Sequence, residues 1–369
     1  MRNNPKALFV LGTRPEAIKL APVILEFRKR GITCELCSTG QHKEMLQQVF
    51  DLFDLSPDYD LKVMREGQGL TGITANILLG FDKVILESRP DIVLVQGDTS
   101  SAFTGALGGF YHKIPVVHIE AGLRTETIYD PFPEEMNRRL ISKLAALHFA
   151  PTERAKKSLL QEGVASGDIE VVGNTVIDAL LLTRKKTTAN QELERALKAN
   201  KRSILLTTHR RENLGEGMEN IFAAISELLS AFPDTGIVFP VHLNPVIQDL
   251  AKKHLGDNSR AYLMPPLSYT DLVHALDSSF MVMTDSGGIQ EEAPSLGKPV
   301  LVLRNTTERP EGVEAGTAKL IGVSKDVIVR EAKELLANPA AYAEMANAVN
   351  PYGDGSASRR IADRILASL

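Results

Sequence analysis

The sequence predicts an α/β protein built from two doubly wound domains, each a parallel sheet covered by helices on both faces. Three observations carry that expectation. Short apolar runs alternate with amphipathic stretches of ten to twenty residues, and strands that lack polar alternation belong to sheets buried on both faces. The rhythm stops in a polar, strand-free stretch at about 183–202 and then starts again. The length of 369 residues, at roughly 150 residues per domain, suggests two domains.

The elements follow in order. Strand 7–11 leads into helix 15–29, strand 34–37 into helix 43–53, and strand 92–96 into helix 101–112, with further strands at 116–119 and 169–172. The second series of strands is 204–208, 236–240, 261–264, 280–284 and 299–303. The expected domains are therefore 1–190 and 200–350, split near residue 195. A last helix within 353–369, entered through the turn Asn350-Pro351-Tyr352-Gly353-Asp354-Gly355, is expected to return to the first domain. No short repeat or low-complexity segment points to a solenoid or propeller.

Composition narrows the function. With 42 basic against 46 acidic residues, a net charge of -4 and a pI near 6.1, no global positive field holds a polyanion, so nucleic acid is not an expected partner. Apolar residues at 43%, charged residues at 24% and a mean hydropathy of -0.07 describe an ordinary globular protein. The apolar run 7–11 is too short for a signal sequence and no run reaches the ~18 residues of a membrane span, so a cytoplasmic protein is expected. Cys34 and Cys37 form a C-x-x-C pair, but within a strand. Redox pairs begin helices, and zinc needs two further ligands, so these read as packing thiols in a reducing compartment.

In open α/β sheets ligands bind beyond the carboxyl ends of strands, and a cleft between two such domains is the default site. The loops after strands are therefore the places to look. After the first strand, Gly12-Thr13-Arg14-Pro15-Glu16 contains a capping box, Thr13 with Glu16, and a proline suited to a first turn. Helix-start chemistry does not account for Arg14, a guanidinium at a helix mouth that already favours anions. Lys19, about 140° further round an ideal helix, is open to a structural role. Asp98 and Glu120 follow neighbouring strands; Asp98 has the alternative of capping the next helix, whereas Glu120 precedes loop. Glu134 and Glu135 open a helix, with Arg138 and Arg139 at the i,i+4 spacing of surface ion pairs. Beside Asp98 and Glu120, Glu134 makes a third acid, and clustered acids are how a site separates an acid from a base.

In the second domain His209-Arg210-Arg211 follows a strand, poorly placed for a core and well placed to meet phosphates or a leaving group. Asn244 and Pro245 read as a helix start, and His242 stays open. Asp285-Ser286-Gly287-Gly288 follows the strand 280–284; Ser286 is a cap, and the two glycines let backbone N–H groups approach a phosphate. Glu292, on the same helix face as Gly288, suits two ribose hydroxyls. With the 304–310 loop downstream, this reads as a nucleoside diphosphate site. No Gly-x-Gly-x-x-Gly follows the first strand and no P-loop lysine is present, which argues against dinucleotide redox chemistry and ATP hydrolysis; no cofactor or metal is expected.

The motifs GTRPEAIK from Gly12, GDT from Gly97, HIEAGLRT from His118, PEEMNR from Pro133, HRREN from His209, SGGIQEE from Ser286 and TTERPE from Thr306 together resemble the non-hydrolysing UDP-N-acetylglucosamine 2-epimerases. The resemblance implies two Rossmann-like domains of the GT-B type with the active site in the cleft, a homodimer, and interconversion of UDP-GlcNAc and UDP-ManNAc for surface polysaccharides. It implies elimination of UDP to 2-acetamidoglucal and re-addition, with Asp98, Glu120 and Glu134 as acid/base candidates and His209 stabilising departing UDP. Which carboxylate faces which side of the sugar stays open. By motif matching Arg14, Ser286, Gly287, Gly288, Glu292 and Arg309 would hold UDP, joined by Lys19, Arg138 and His242. Leu272 stands where some members place an aromatic, leaving the base to backbone contacts near 263–272. Some bacterial members are activated by a second UDP-GlcNAc; Gln41, His42 and Arg210 are the candidates here. Glu44 and Gly67 stand where that second site has a glutamine and an arginine, with Arg65 close by, so one or two sites per subunit stay open. A hydrolysing 2-epimerase, a glycosyltransferase of the same fold or a UDP-sugar sensor are the alternative readings.

Overall fold

Two all-parallel sheets carry the fold. The computed structural model describes residues 5–40, 43–64, 67–186 and 190–368. Gln41, His42 and Arg65 lie outside the described residues, and so does the side chain of Glu44. The chain divides into two units: residues 1–179 with 352–369, and residues 180–351.

The first unit contains β1 (Lys6–Leu11), α1 (Arg14–Lys29), β2 (Thr33–Ser38), α2 (Lys43–Phe53), β3 (Tyr59–Asp60), α3 (Leu70–Ser88), β4 (Ile92–Gln96) and α4 (Ser100–Tyr111). It continues with β5 (Val116–Ile119), α5 (Glu134–Leu144), β6 (Leu147–Ala150), α6 (Glu153–Gln161), β7 (Ile169–Val171) and α7 (Thr175–Arg184), in which the division between units falls. Its seven strands run in the order β3-β2-β1-β4-β5-β6-β7. The second unit contains α8 (Gln191–Lys198), β8 (Arg202–Thr207), α9 (Glu216–Ala231), β9 (Thr235–Pro240), α10 (Pro245–Leu255), β10 (Ala261–Met264), α11 (Tyr269–Ser278) and β11 (Met281–Thr284). After these come α12 (Gly287–Glu292), β12 (Val300–Val302), α13 (Pro310–Glu314), β13 (Ala318–Leu320), α14 (Lys325–Ala337) and α15 (Pro339–Ala346). Its six strands repeat the order, β10-β9-β8-β11-β12-β13.

The strands found by the apolar-run criterion are present within a residue or two of their expected ends. Three were not foreseen: β3, β6 and β13, of two, four and three residues. Each is too short, or too interrupted by polar residues such as His148, to stand out. Between 183 and 202 the described residues hold α8, whose cap Asn190 accepts from the N–H groups of Glu192 and Leu193.

The central strands β1 and β4 are apolar and buried from Ala7 to Leu11 and from Ile92 to Val95, as a sheet covered on both faces requires. They pair in parallel from Ala7 with Ile92 to Phe9 with Leu94. The strand order reverses there, so the loops after β1 and β4 diverge and leave the crevice where α/β sheets bind ligands. In the second unit β8 and β11 hold the same positions.

α16 (Ala357–Leu366) packs on α1 in the first unit. Buried Asp178 accepts from the backbone N–H groups of Ala357 at 3.2 Å and Ser358 at 2.9 Å. Arg360 donates to the Val172 carbonyl at 2.9 Å. Gly173 and Gly353 meet backbone to backbone: a Cβ on Gly173 would lie 3.0 Å from the Gly353 Cα.

Candidate active site

In the first unit the site grows from the loop after β1. Thr13 caps α1 and Glu16 completes the capping box, its Oε2 accepting from the N–H groups of Gly12 at 2.9 Å and Thr13 at 2.7 Å. Glu16 Oε1 also accepts from the Thr99 hydroxyl at 2.6 Å. One buried carboxylate thus ties the loop after β1 to the loop after β4. Burial raises the Glu16 pKa against the lowering effect of these donors. Arg14, next to the cap and half-buried, makes no ion pair among the described residues.

Lys19 is not turned away from the site. Its Nζ donates to both carboxylate oxygens of Glu120, at 2.7 and 2.6 Å. Asn174 Nδ2 donates to Glu120 Oε1 at 2.9 Å, and Gln96 Nε2 donates to Oε2. Glu120 itself is 7% exposed and has φ +63°, a left-handed conformation unusual for a side-chain-bearing residue and frequent at functional sites.

Thr99, not Asp98, caps α4 by accepting from the Ala102 N–H, so capping does not occupy the Asp98 carboxylate. That carboxylate accepts from Arg138 Nε at 2.8 Å, with Arg138 Nη2 at 2.6 Å. The Asp98 carbonyl accepts from Asn137 at 2.8 Å, and the preceding Gly97 carbonyl accepts from His118 Nε2 at 2.8 Å. Burial opposes the Arg138 charge, but Asp98 and Glu135 outweigh it and raise its pKa. Asp98 and Glu120 leave adjacent strands, Gln96 pairing with Ile119, and Glu120 Oε2 would lie 3.8 Å from a Cβ on Gly97.

The helix-surface pairing expected at 134–139 is half realised. Glu135 pairs with Arg139 at 2.8 Å and with Arg138 at 3.1 Å, but its side chain is fully buried. Glu134 does not pair with Arg138. It is half-buried and makes no ion pair among the described residues, one turn along α5 from the arginine that holds Asp98.

In the second unit a second buried carboxylate does for β8 and β11 what Glu16 does for β1 and β4. Asp285 Oδ2 accepts from the Thr208 hydroxyl at 2.9 Å, the His209 and Arg210 N–H groups at 3.0 and 2.9 Å, and Asn213 Nδ2 at 3.0 Å. His209 is about half exposed, 48% for the side chain. It stacks on His242, ring centroids 5.5 Å apart and planes 10° from parallel. Arg210 donates to the Asp285 carbonyl at 3.1 Å, and its Nη1 lies 3.6 Å from Glu308.

Ser286 occupies the N-cap of α12, but its side chain makes no capping bond there, which corrects the cap expected of it; the hydroxyl is left for other contacts. Gly288 and Glu292 share a face, a Cβ on Gly288 lying 3.6 Å from Glu292 Oε1. Arg309 pairs with Glu291, and Arg304, 4% exposed, pairs with Glu212 and Glu308. Leu272 is half-buried on α11. Asn244 caps α10 with Pro245 in its first turn.

Sequence reasoning passed over Gln96, Asn174 and Asp285. Gln96 and Asp285 are polar residues at or just after the end of an apolar strand, the same signal that singled out Asp98. Asn174 follows β7 after a glycine, and its partner is 54 residues away.

Two α/β units with the same strand order, each with a buried carboxylate tying its central loops together and polar groups at its carboxyl end, define an enzyme of the GT-B fold class. The sequence profile described as UDP-N-acetylglucosamine 2-epimerase matches residues 26–366, and the chain belongs to that family. It is 52% identical over 362 residues to the UDP-N-acetylglucosamine 2-epimerase of Bacillus subtilis (strain 168), covering 98% of this chain and 95% of that protein. The structure of the putative UDP-N-acetylglucosamine 2-epimerase from Listeria monocytogenes superposes with a TM-score of 0.94 at 47% identity, covering 99% of this chain and 96% of that one. The UDP-GlcNAc 2-epimerase from Neisseria meningitidis, solved bound to UDP-GlcNAc, gives a TM-score of 0.88 at 48% identity over 98% of this chain and 100% of that one.

Proposed function

We propose that this protein interconverts UDP-GlcNAc and UDP-ManNAc without releasing the free sugar. One carboxylate takes the carbon-2 proton while the bond from carbon 1 to the diphosphate oxygen breaks. The electron pair leaves with UDP, and 2-acetamidoglucal remains. Delivery of a proton to the opposite face of carbon 2 and re-addition of the UDP oxygen to carbon 1 complete the inversion. The observation that carries the reading is the acid cluster at the ends of β4 and β5 and the start of α5. There Asp98 and Glu120 are each fixed by a cation while Glu134 has none among the described residues, an arrangement that supplies carboxylates in different environments for acid and base work.

Asp98, Glu120 and Glu134 are the proposed acid/base groups, and His209 stabilises the departing diphosphate. Arg14, His242, Leu272, Ser286, Gly287, Gly288, Glu292 and Arg309 are the proposed substrate contacts. Lys19 and Arg138 serve the reaction through Glu120 and Asp98. We place the protein in the cytoplasm as a homodimer. Its free cysteines support the first assignment; the second is supported by Leu79 and Leu86 on α3 and Phe110 and Tyr111 on α4, all more than half exposed on two packed helices. Light scattering of the wild type and of Leu79→Glu tests the dimer.

The test of the reaction is NMR of UDP-GlcNAc with the purified protein in deuterium oxide. Loss of the carbon-2 proton signal with growth of UDP-ManNAc is expected, and Asp98→Asn, Glu120→Gln and Glu134→Gln, made singly, apportion the roles. Tight UDP-GlcNAc binding with an unchanged spectrum overturns the reading. Accumulation of free ManNAc in its place identifies a hydrolysing enzyme.

A further inference from the structure

His209 and Asp285 follow β8 and β11, the two strands at which the second sheet reverses its order. Asp285 is fully buried, and the two oxygens of its carboxylate are used unequally. Oδ2 accepts all four hydrogen bonds that fix the 208–213 loop. Oδ1 has no hydrogen-bond partner among the described residues and lies 3.6 Å from Nδ1 of His209. A buried carboxylate oxygen left without a donor is unfavourable, and the nitrogen nearest to it belongs to a ring that can carry a proton there.

The other groups facing that ring sharpen the picture. His242, stacked on it, accepts from the Asn244 N–H through Nδ1 at 3.1 Å, so its proton sits on Nε2 and the ring is neutral. The Arg210 guanidinium is drawn toward the Asp285 carbonyl and Glu308. Asp285 is then the anion that faces His209.

We propose that Asp285 is a positioning residue for the reaction. Its free Oδ1 keeps Nδ1 of His209 protonated, turns the lone pair of Nε2 outward, and stabilises the positive charge the ring gains when Nε2 takes up a proton from solvent, the proton through which it then donates a hydrogen bond to the diphosphate. A lone pair on Nδ1 would face the carboxylate oxygen and be repelled, so the tautomer is selected by the site. The catalytic part of this inference rests on the role given to His209 above; the tautomer does not.

The experiment uses the 369-residue protein labelled with nitrogen-15 in its eight histidines, with the His209 signals assigned by His209→Gln. Long-range proton–nitrogen spectra are recorded with and without saturating UDP. Protonated Nδ1 in the wild type, with both nitrogens protonated in the UDP complex, is the expected result. In Asp285→Asn the amide presents its NH2 to the ring, so Nδ1 is expected to lose its proton. That variant should lose about 10- to 100-fold in kcat while KM and the UDP Kd stay within about threefold. An unprotonated Nδ1 in the wild type overturns the proposal and needs no variant. So does an Asp285→Asn protein that loses UDP affinity in step with kcat and keeps the wild-type protonation of His209, which is the behaviour of a merely structural residue. Failure of the wild type to turn over UDP-GlcNAc sinks the epimerase reading instead and leaves the spectra to decide this one.

Discussion

Lys19 and Glu120 are 101 residues apart in the chain and 2.6 Å apart in the fold. The lysine side chain is 18% exposed and the carboxylate 5%, so neither charge is well solvated. Removing one partner of such a pair leaves an uncompensated charge, at a cost of about 3–5 kcal/mol. Lys19→Met is expected to lower stability by about 3 kcal/mol and to abolish most carbon-2 exchange. The double variant Lys19→Met/Glu120→Gln should regain more than half of the stability and none of the activity. Urea unfolding of the four proteins measures the coupling, and equal midpoints for the single and double variants would refute the pairing argument.

Gly122, two residues past Glu120, has φ +91°, and a Cβ there would come within 2.2 Å of the Ala155 carbonyl oxygen. Gly163, at φ +85°, has nothing within 4 Å of its Cβ position. Gly122→Ala combines backbone strain with a clash and is expected to cost about 2–4 kcal/mol. Gly163→Ala carries the conformational penalty alone, about 1 kcal/mol. Thermal melts of the two variants separate the contributions, and only the first should disturb epimerisation.

His118 and His148 lie side by side on β5 and β6. Burial is the main cause in both, lowering His118 to about 3 and His148 to about 4. An unfolded histidine takes up its proton near pH 6.5, well before either native ring does. The stability these rings contribute is therefore complete above about pH 6.5 and is lost as the pH falls toward 4 and then 3, each ring adding about 1.4 kcal/mol per pH unit to the slope. Burial raises the pKa of Glu16 and Asp178, which acts in the opposite sense, so the clean measurement is a difference. The urea midpoint of His118→Asn should fall less between pH 7 and pH 5 than that of the wild type; parallel curves would show that His118 does not titrate as described.

How much of this was legible beforehand can be judged residue by residue. The apolar runs in β1, β4, β8 and β11 announced the sheets, and the rule that ligands gather beyond strand ends singled out Arg14, Asp98, Glu120 and His209 as candidates. What the sequence conceals is pairing over distance. Lys19 looked free to point elsewhere because helical geometry fixes only its bearing on α1; that β5 brings Glu120 beneath it depends on the strand order. Glu135 looked like half of a surface ion pair, yet it is buried beneath the 125–133 loop, accepting from the Thr125 N–H at 3.1 Å. Spacing alone does not tell adjacent glutamates apart when one of them is held by a loop that returns over the helix.

Arg14 offers a contrast with these paired residues. With no ion pair among the described residues, its removal should leave the fold alone: Arg14→Ala is expected to shift stability by less than about 0.5 kcal/mol. A charge-assisted bond to phosphate is worth about twice a neutral one, so UDP affinity should fall by about tenfold or more. Calorimetric titration with UDP checks this, and unchanged affinity would remove Arg14 from the binding groups.

The thiols give a further test. Cys34 and Cys37 are three residues apart on β2 and so point to opposite faces of the sheet, and burial pushes both up to about 12. Neither should react with a thiol reagent at pH 8 within the time in which the urea-unfolded protein is fully modified. Rapid labelling of the native protein would contradict the packing role.

The segment that completes the first unit, residues 352–369, comes after the whole of the second unit in the chain. A ribosome therefore delivers the first unit's opening sheet early but withholds the helix that covers α1 and the N–H groups that satisfy Asp178. During synthesis the interposed unit has all its strands in hand first. The nascent first unit must wait with the α1 flank uncovered until its last residues are made.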